Sequence, residues 1–276
     1  MSDDAEADAV FAYPAVAPDA TAAYGDHPDQ IMDFHAPHDG EGTAATAPLV
    51  VVLHGGVWRE RYDRQHIAPF AGFLARRGFA VANVEYRRGG IEPGSAGRCP
   101  DTLDDVAAAL DALPGLVASH LPQADLRRTV VTGHSAGGHL ALWAAARHVL
   151  PPDAPWHRST PPFRGVVALA PIAHFGVARE LKVCGGAVDQ FLGDGGNEAW
   201  TDPAVLLPTG IATTVVQGRA DETVPPQVTE AFADATATEG EPAGLTLLDG
   251  VGHFALIDPA ADACAVVAAE IEQLAW

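Results

Sequence analysis

The sequence predicts an α/β fold, a mainly parallel twisted sheet with helices on both faces, and three observations carry that prediction. Short valine-rich runs recur at strand length, as suits strands buried on both faces. Between them lie segments whose apolar residues return at three-and-four spacing, the pattern of helices that cover a sheet. With 276 residues and 48% hydrophobic content, the chain can fill one large core.

Residues 1–23 are rich in Ala, Asp and Pro and are expected to be loosely ordered or draped over the surface, leaving 24–276 as the domain. The strand-like runs are PLVVVLH (48–54), FAVANVEY (79–86), RTVVTG (128–133), GVVALAP (165–171), TTVVQG (213–218) and LTLLDG (245–250). Residues 60–77 carry Ile67, Phe70, Phe73 and Leu74 and end at Gly78, a helix with its stop signal. DTLDDVAAALDAL sets Leu103, Val106, Leu110 and Leu113 on one face behind acidic first-turn residues. Segments 136–149, 227–237 and 258–275 read as helices too. Residues 172–212 are too long for a simple crossover and are expected to form a small lid or cap.

Sixteen basic against 36 acidic residues give a formal charge of −20, which disfavours nucleic acid and anionic membrane surfaces as partners. Cys99, Cys184 and Cys264 are an odd, scattered set, pointing to free thiols in a reducing compartment. The N-terminus lacks the basic flank and apolar core of a signal peptide, and no apolar run approaches the roughly 20 residues of a membrane helix. A cytoplasmic, soluble protein is the expectation, and the sequence allows a homodimer.

The chemistry is carried by VVTGHSAGGHLALWAAARH (130–148), where Gly133, Ser135 and Gly137 form GxSxG between a strand and a helix. That context is the nucleophile elbow, a sharp turn that presents the serine, with glycines allowing strand and helix to approach. A serine hydroxyl needs a general base, and the base needs an orienting carboxylate. The expected chain order is Ser, acid, His. Asp221 follows one strand-like run and His253 the next, with Glu222 a rival for the acid. His134, in the variable position of GxSxG, and His139, one turn on, are expected to be packing or hydrogen-bonding residues; His134 is also carried as a pocket candidate. No metal-ligand spacing is present in the sequence.

Attack on a carbonyl creates an oxyanion that preorganised N–H donors must hold. Ala136, after the nucleophile, supplies one; Gly55 and Gly56 of LHGGVW are assigned the other, since a β-carbon would block close approach. Trp58 either rims the acyl pocket or anchors the following helix to the sheet.

Together these residues resemble the α/β-hydrolase superfamily over about residues 24–276, and within it the kynurenine formamidase (arylformamidase) group and its esterase neighbours. HGGVW (54–58), YGDHPDQIMDFHAP (24–37), EYRRG (85–89) and TDPAVLLPTG (201–210) are similar to that group's motifs. Val57 and DFHAP depart from them, which bears on substrate. The resemblance implies an α/β-hydrolase fold and hydrolysis of N-formyl-L-kynurenine in tryptophan breakdown, through an acyl-enzyme on Ser135 and without a cofactor. The alternative is a carboxylesterase for short acyl esters; an acyltransferase and a noncatalytic binding module rank below it. Tyr62, Phe175, Phe191 and Trp200 are candidate aromatic walls of the substrate pocket.

Overall fold

The computed structural model describes residues 2–38, 46–90, 99–159 and 163–276. The elements run α1 (Asp3–Phe11), β1 (Ala20–Ala23), β2 (Ile31–His35), β3 (Ala47–Leu53), α2 (Ala68–Arg76), β4 (Ala80–Val84), α3 (Asp101–His120), β5 (Ala124–His134) and α4 (Ala136–Ala145). They continue through β6 (Gly165–Leu169), α5 (Phe175–Glu180), α6 (Ala187–Leu192), β7 (Ala212–Gly218), α7 (Pro226–Thr238), β8 (Gly244–Leu248) and α8 (Asp262–Ala275). Among the described residues no helix is long and apolar enough to cross a membrane.

One eight-stranded sheet runs in the order β1-β2-β4-β3-β5-β6-β7-β8. Strands β3 to β8 pair in parallel, and β1 and β2 add an antiparallel edge. Every residue of β3 is buried, which is why its sequence is continuously apolar rather than alternating. Its side chains divide between two cores. Leu49, Val51 and Leu53 join Leu103, Val106 and Leu110 of α3 and Leu140 of α4, whereas Val50 and Val52 join Phe70 and Leu74 of α2 and Val267 and Ile271 of α8. Truncating Leu74 to alanine would cost about 2–5 kcal/mol through lost transfer energy and the cavity left behind.

The chain leaves β3 for β4 on one side and later returns to β5 on the other. That reversal opens a crevice at the carboxyl ends of β3 and β5, where ligands bind in such sheets. Leu53 pairs with Gly133, so His54–Gly56 emerge beside His134 and Ser135.

Several boundaries differ from expectation. The helix expected over 60–77 is α2, which begins at Ala68 rather than residue 60, with Pro69 in its first turn, where a missing N–H costs nothing. The helix after Ser135 ends at Ala145, not 149, and the last starts at Asp262, not 258. The interval 172–212 holds α5 and α6 linked by short 3₁₀ turns.

The largest correction is at the N-terminus. The segment 1–23 was expected to be loosely ordered or draped over the surface; it is ordered, containing α1 and β1, the latter paired with β2. Composition misleads here because α1 is held by its acids: Asp3 and Glu6 are buried along with Val10. Their partners lie far along the chain, outside the reach of any local pattern.

Candidate active site

Ser135 stands between β5 and α4 with φ 57° and ψ −117°, a conformation strained for any residue with a β-carbon. Packing imposes it. A β-carbon on Gly133 would lie 2.2 Å from the Gly137 carbonyl oxygen, and one on Gly137 would lie 2.1 Å from that of Leu53. Strand and helix therefore approach with backbone alone. Although Ser135 occupies the N-cap of α4, its side chain makes no capping hydrogen bond, which leaves the hydroxyl for other use. The N–H groups of a first helical turn lack intrahelical partners and carry the positive end of the dipole, so Ala136 is placed to face negative charge.

His253 follows β8, and its Nδ1 donates to Asp221 Oδ2 at 2.7 Å. Of the two candidate acids, Asp221 is the one whose carboxylate meets His253. Asp221 is itself fixed: Oδ1 accepts from the N–H groups of Thr223 at 2.9 Å and Val224 at 2.7 Å, and Oδ2 accepts from Gln217 Nε2 at 2.9 Å. With Nδ1 donating, Nε2 is the acceptor that a general base requires. Ser135 and His253 line the same cavity of about 100 Å³.

The oxyanion loop is braced from below. His54 Nδ1 meets the Gly55 carbonyl at 2.7 Å and Nε2 meets Glu85 Oε1 at 2.9 Å, while the Tyr86 hydroxyl donates to the His54 carbonyl at 2.5 Å. Glu85 also accepts from the Arg64 N–H and pairs with Arg88 at 2.8 Å. Burial alone would raise the Glu85 carboxyl; attraction to His54, their hydrogen bond and Arg88 outweigh it and hold the group down to about 2. Gly56, Val57 and Trp58 all have positive φ, at 109°, 59° and 56°. For a β-branched and a bulky residue that is stored strain, which the bracing sustains. The two glycines divide their work. Gly56 lines the cavity, whereas Gly55 is not among its lining residues; a β-carbon on Gly55 would sit 2.9 Å from the His134 carbonyl oxygen and 3.4 Å from Ser135 Cβ. Gly55 thus lets the loop meet the elbow, while Gly56 and Val57 line the cavity.

With this geometry established, likenesses to known proteins become informative. The BD-FAE family model matches residues 32–152, the part that holds the oxyanion loop and the elbow. Esterase B from Lactobacillus rhamnosis, solved with a tributyrin phosphonate, superposes with a TM-score of 0.76 at 20% identity, covering 99% of this chain and 91% of that one. The chain has the α/β-hydrolase fold. The chain is 26% identical over 255 residues to the probable isoprenylcysteine α-carbonyl methylesterase ICMEL1 of Oryza sativa subsp. japonica, covering 84% of the chain and 56% of that protein. It is 26% identical over 233 residues to the kynurenine formamidase of Drosophila melanogaster, covering 80% and 71%. It also matches fungal non-reducing polyketide synthases, of whose length it spans 5–6%.

The aromatic candidates separate cleanly within this fold. Tyr62 and His134 line the cavity. His134 was also expected to pack or hydrogen-bond, and its Nε2 donates to the His253 carbonyl at 2.9 Å; burial, then the neighbouring His253, drives its pKa well down. Trp58, Phe175 and Phe191 do not line it. Trp58 is buried, stacked on Phe191 at 4.4 Å and edge-on to His139 at 5.1 Å, so it ties the oxyanion loop to α6 and α4. Trp200 lies farther off, edge-on to Trp156, its carbonyl accepting from Trp143 Nε1. His139 Nε2 donates to the Thr201 carbonyl at 3.0 Å, and burial lowers its pKa to about 4. The aromatic wall is instead Phe11, Tyr62, His66 and Phe254. Tyr62 was a candidate from the sequence; of the other three, only Phe254 carried a local signal, as the neighbour of His253, and Phe11 and His66 reach the site through packing.

Proposed function

We propose that this chain is a serine hydrolase that transfers a small acyl group from an aromatic leaving group to Ser135 and then to water. The observation that carries the reading is the strained Ser135 sharing a small cavity with His253, whose Nδ1 is held by Asp221. Ser135 Oγ attacks the acyl carbonyl as its proton passes to His253 Nε2. The resulting oxyanion is met by the N–H groups of Ala136 and of the Gly56–Val57 loop, each such donor worth about 3–4 kcal/mol of barrier. Collapse breaks the bond to the leaving group, which takes the proton from His253. Water then repeats the sequence on the acyl-enzyme, releasing the acid and restoring Ser135.

The cavity volume favours a formyl or acetyl group, and the rings of Phe11, Tyr62 and Phe254 favour an aryl partner. N-formyl-L-kynurenine fits both features, and likeness to the Drosophila formamidase supports it. A carboxylesterase for short acyl esters is the second reading, favoured by the absence of Arg and Lys among the described residues that line the cavity. Turnover of N-formyl-L-kynurenine against p-nitrophenyl acetate separates the two: rapid ester cleavage with no deformylation removes the formamidase. Intact mass after a fluorophosphonate probe tests the class, the expected result being one adduct on the wild type and none on Ser135→Ala.

A further inference from the structure

The helix α1 reaches the two loops that carry the acid and the base. Asp3 Oδ2 accepts from the N–H groups of Glu222 at 3.0 Å and Thr223 at 2.8 Å and from the Thr223 hydroxyl at 2.6 Å; Oδ1 accepts from the N–H of His253 at 3.0 Å. Glu6 Oε1 accepts from the N–H of Gly252, and Oε2 from those of Phe254 and Ala255, each at 3.0 Å. Every N–H from Gly252 to Ala255 is thus taken by a carboxylate of one short helix. Converging backbone N–H groups of this kind form an anion-binding concavity, here filled from within the chain.

Two further observations agree. Gly252 is shaped for the contact: a β-carbon there would lie 2.5 Å from Asp3 Oδ1 and 2.7 Å from Glu6 Oε2. At the far end of the helix Phe11 turns onto the cavity, stacked on Tyr62 at 5.6 Å and edge-on to Phe254 at 5.7 Å. Beyond it the Tyr13 hydroxyl donates to Asp258 Oδ1 at 2.6 Å, tying the segment to the chain just after His253.

We propose that α1 is a working part of the active site. Asp3 and Glu6 are positioning residues that hold the His253 loop against the Asp221 loop, and Phe11 is a substrate-contacting wall that selects aryl leaving groups. Asp3 is the only one of these groups to bind both loops, so it sets the spacing between acid and base. Glu6 holds the loop around His253, which limits drift of the ring. Because misplacement of a catalytic group by about 1 Å costs roughly a hundredfold, a carboxylate that never touches substrate can still govern kcat. The inference rests on the serine-hydrolase reading for its activity readout and on backbone exchange for an independent one.

The test is the full-length Asp3→Asn/Glu6→Gln double variant, assayed with p-nitrophenyl acetate and by amide hydrogen exchange. Fluorophosphonate labelling of wild-type Ser135 first establishes the hydrolase reading; without an adduct that reading fails, and exchange alone then judges the clamp. We expect kcat to fall about ten- to hundredfold with KM within about twofold. Amides of residues 252–255 should exchange at least roughly tenfold faster while those of β3 and β5 keep their protection. Unchanged kcat in an active enzyme, or unchanged exchange at 252–255, overturns the proposal, as does equal loss of protection across the sheet. Should the double variant not fold, Glu6→Gln alone, which spares the Asp3 contacts, carries both readouts. Phe11→Ala is expected to raise KM for p-nitrophenyl acetate about two- to tenfold, the worth of one aromatic contact, and an unchanged KM removes Phe11 from the site.

Discussion

Replacing Asp221 by Asn probes the site most sharply, because every group the carboxylate meets is a donor. Oδ1 receives the Thr223 and Val224 N–H groups; Oδ2 receives His253 Nδ1 and Gln217 Nε2. An asparagine must turn its NH₂ toward one of these pairs. Facing Thr223 and Val224, it would strand two backbone donors, at about 1–3 kcal/mol each. Facing His253, it gives up the bond from Gln217, whose Nε2 keeps the Gly218 and Val224 carbonyls, and drives the imidazole to its other tautomer, with the proton on Nε2. The second arrangement wins, since a neutral imidazole changes tautomer at little cost. The base is then lost while the fold survives. The expected loss in kcat is about 10⁴-fold, equivalent to roughly 5 kcal/mol of barrier, with only about 1–3 kcal/mol lost from stability. Steady-state hydrolysis of p-nitrophenyl acetate and urea denaturation measure the two numbers. A kcat within tenfold of wild type would show that Asp221 does not orient the base and refute the reasoning.

Other perturbations follow from the same contacts. Gly137→Ala drives a methyl to 2.1 Å from the Leu53 carbonyl oxygen, and we expect more than about 3 kcal/mol of destabilisation or insoluble protein, read by thermal unfolding. Val57→Gly relieves a β-branched residue at φ 59°; stability is expected to rise by about 1 kcal/mol while kcat falls, as the oxyanion loop gains freedom. Glu85 has a folded pKa lowered from 4.5 to about 2, so its contribution to stability is present above pH 4.5 and lost as pH falls toward 2. Urea midpoints should drop through that window, and Glu85→Gln should flatten the drop.

Legibility varied with how far apart the cooperating residues lie. Strands β3, β4 and β6 were visible because burial on both faces demands an unbroken apolar run, a requirement met residue by residue, and β5 and β7 meet it in their C-terminal halves. The elbow was visible because the turn between β5 and α4 confines its constraints to consecutive positions: Gly133 and Gly137 fail sterically with any side chain. The antiparallel edge was poorly marked, since β1 reads only as Ala-Thr-Ala-Ala, and its strand character depends on β2.

The sequence alone was enough for the α/β layering, for Ser135 at a strand-to-helix turn and for a short set of acids and histidines in plausible order. Those features are written in local patterns of size and polarity. The sequence also favoured Asp221 over Glu222; only the folded chain set its carboxylate on His253 Nδ1, moved Trp58, Phe175 and Phe191 from the cavity into packing, and gave the wall to Phe11, His66 and Phe254 beside Tyr62. It also turned an acidic N-terminus into a clamp on His253. Those outcomes depend on groups well separated in the chain meeting in space, 32 residues apart for Asp221 and His253 and 250 for Asp3 and His253, a proximity that no spacing along the chain encodes.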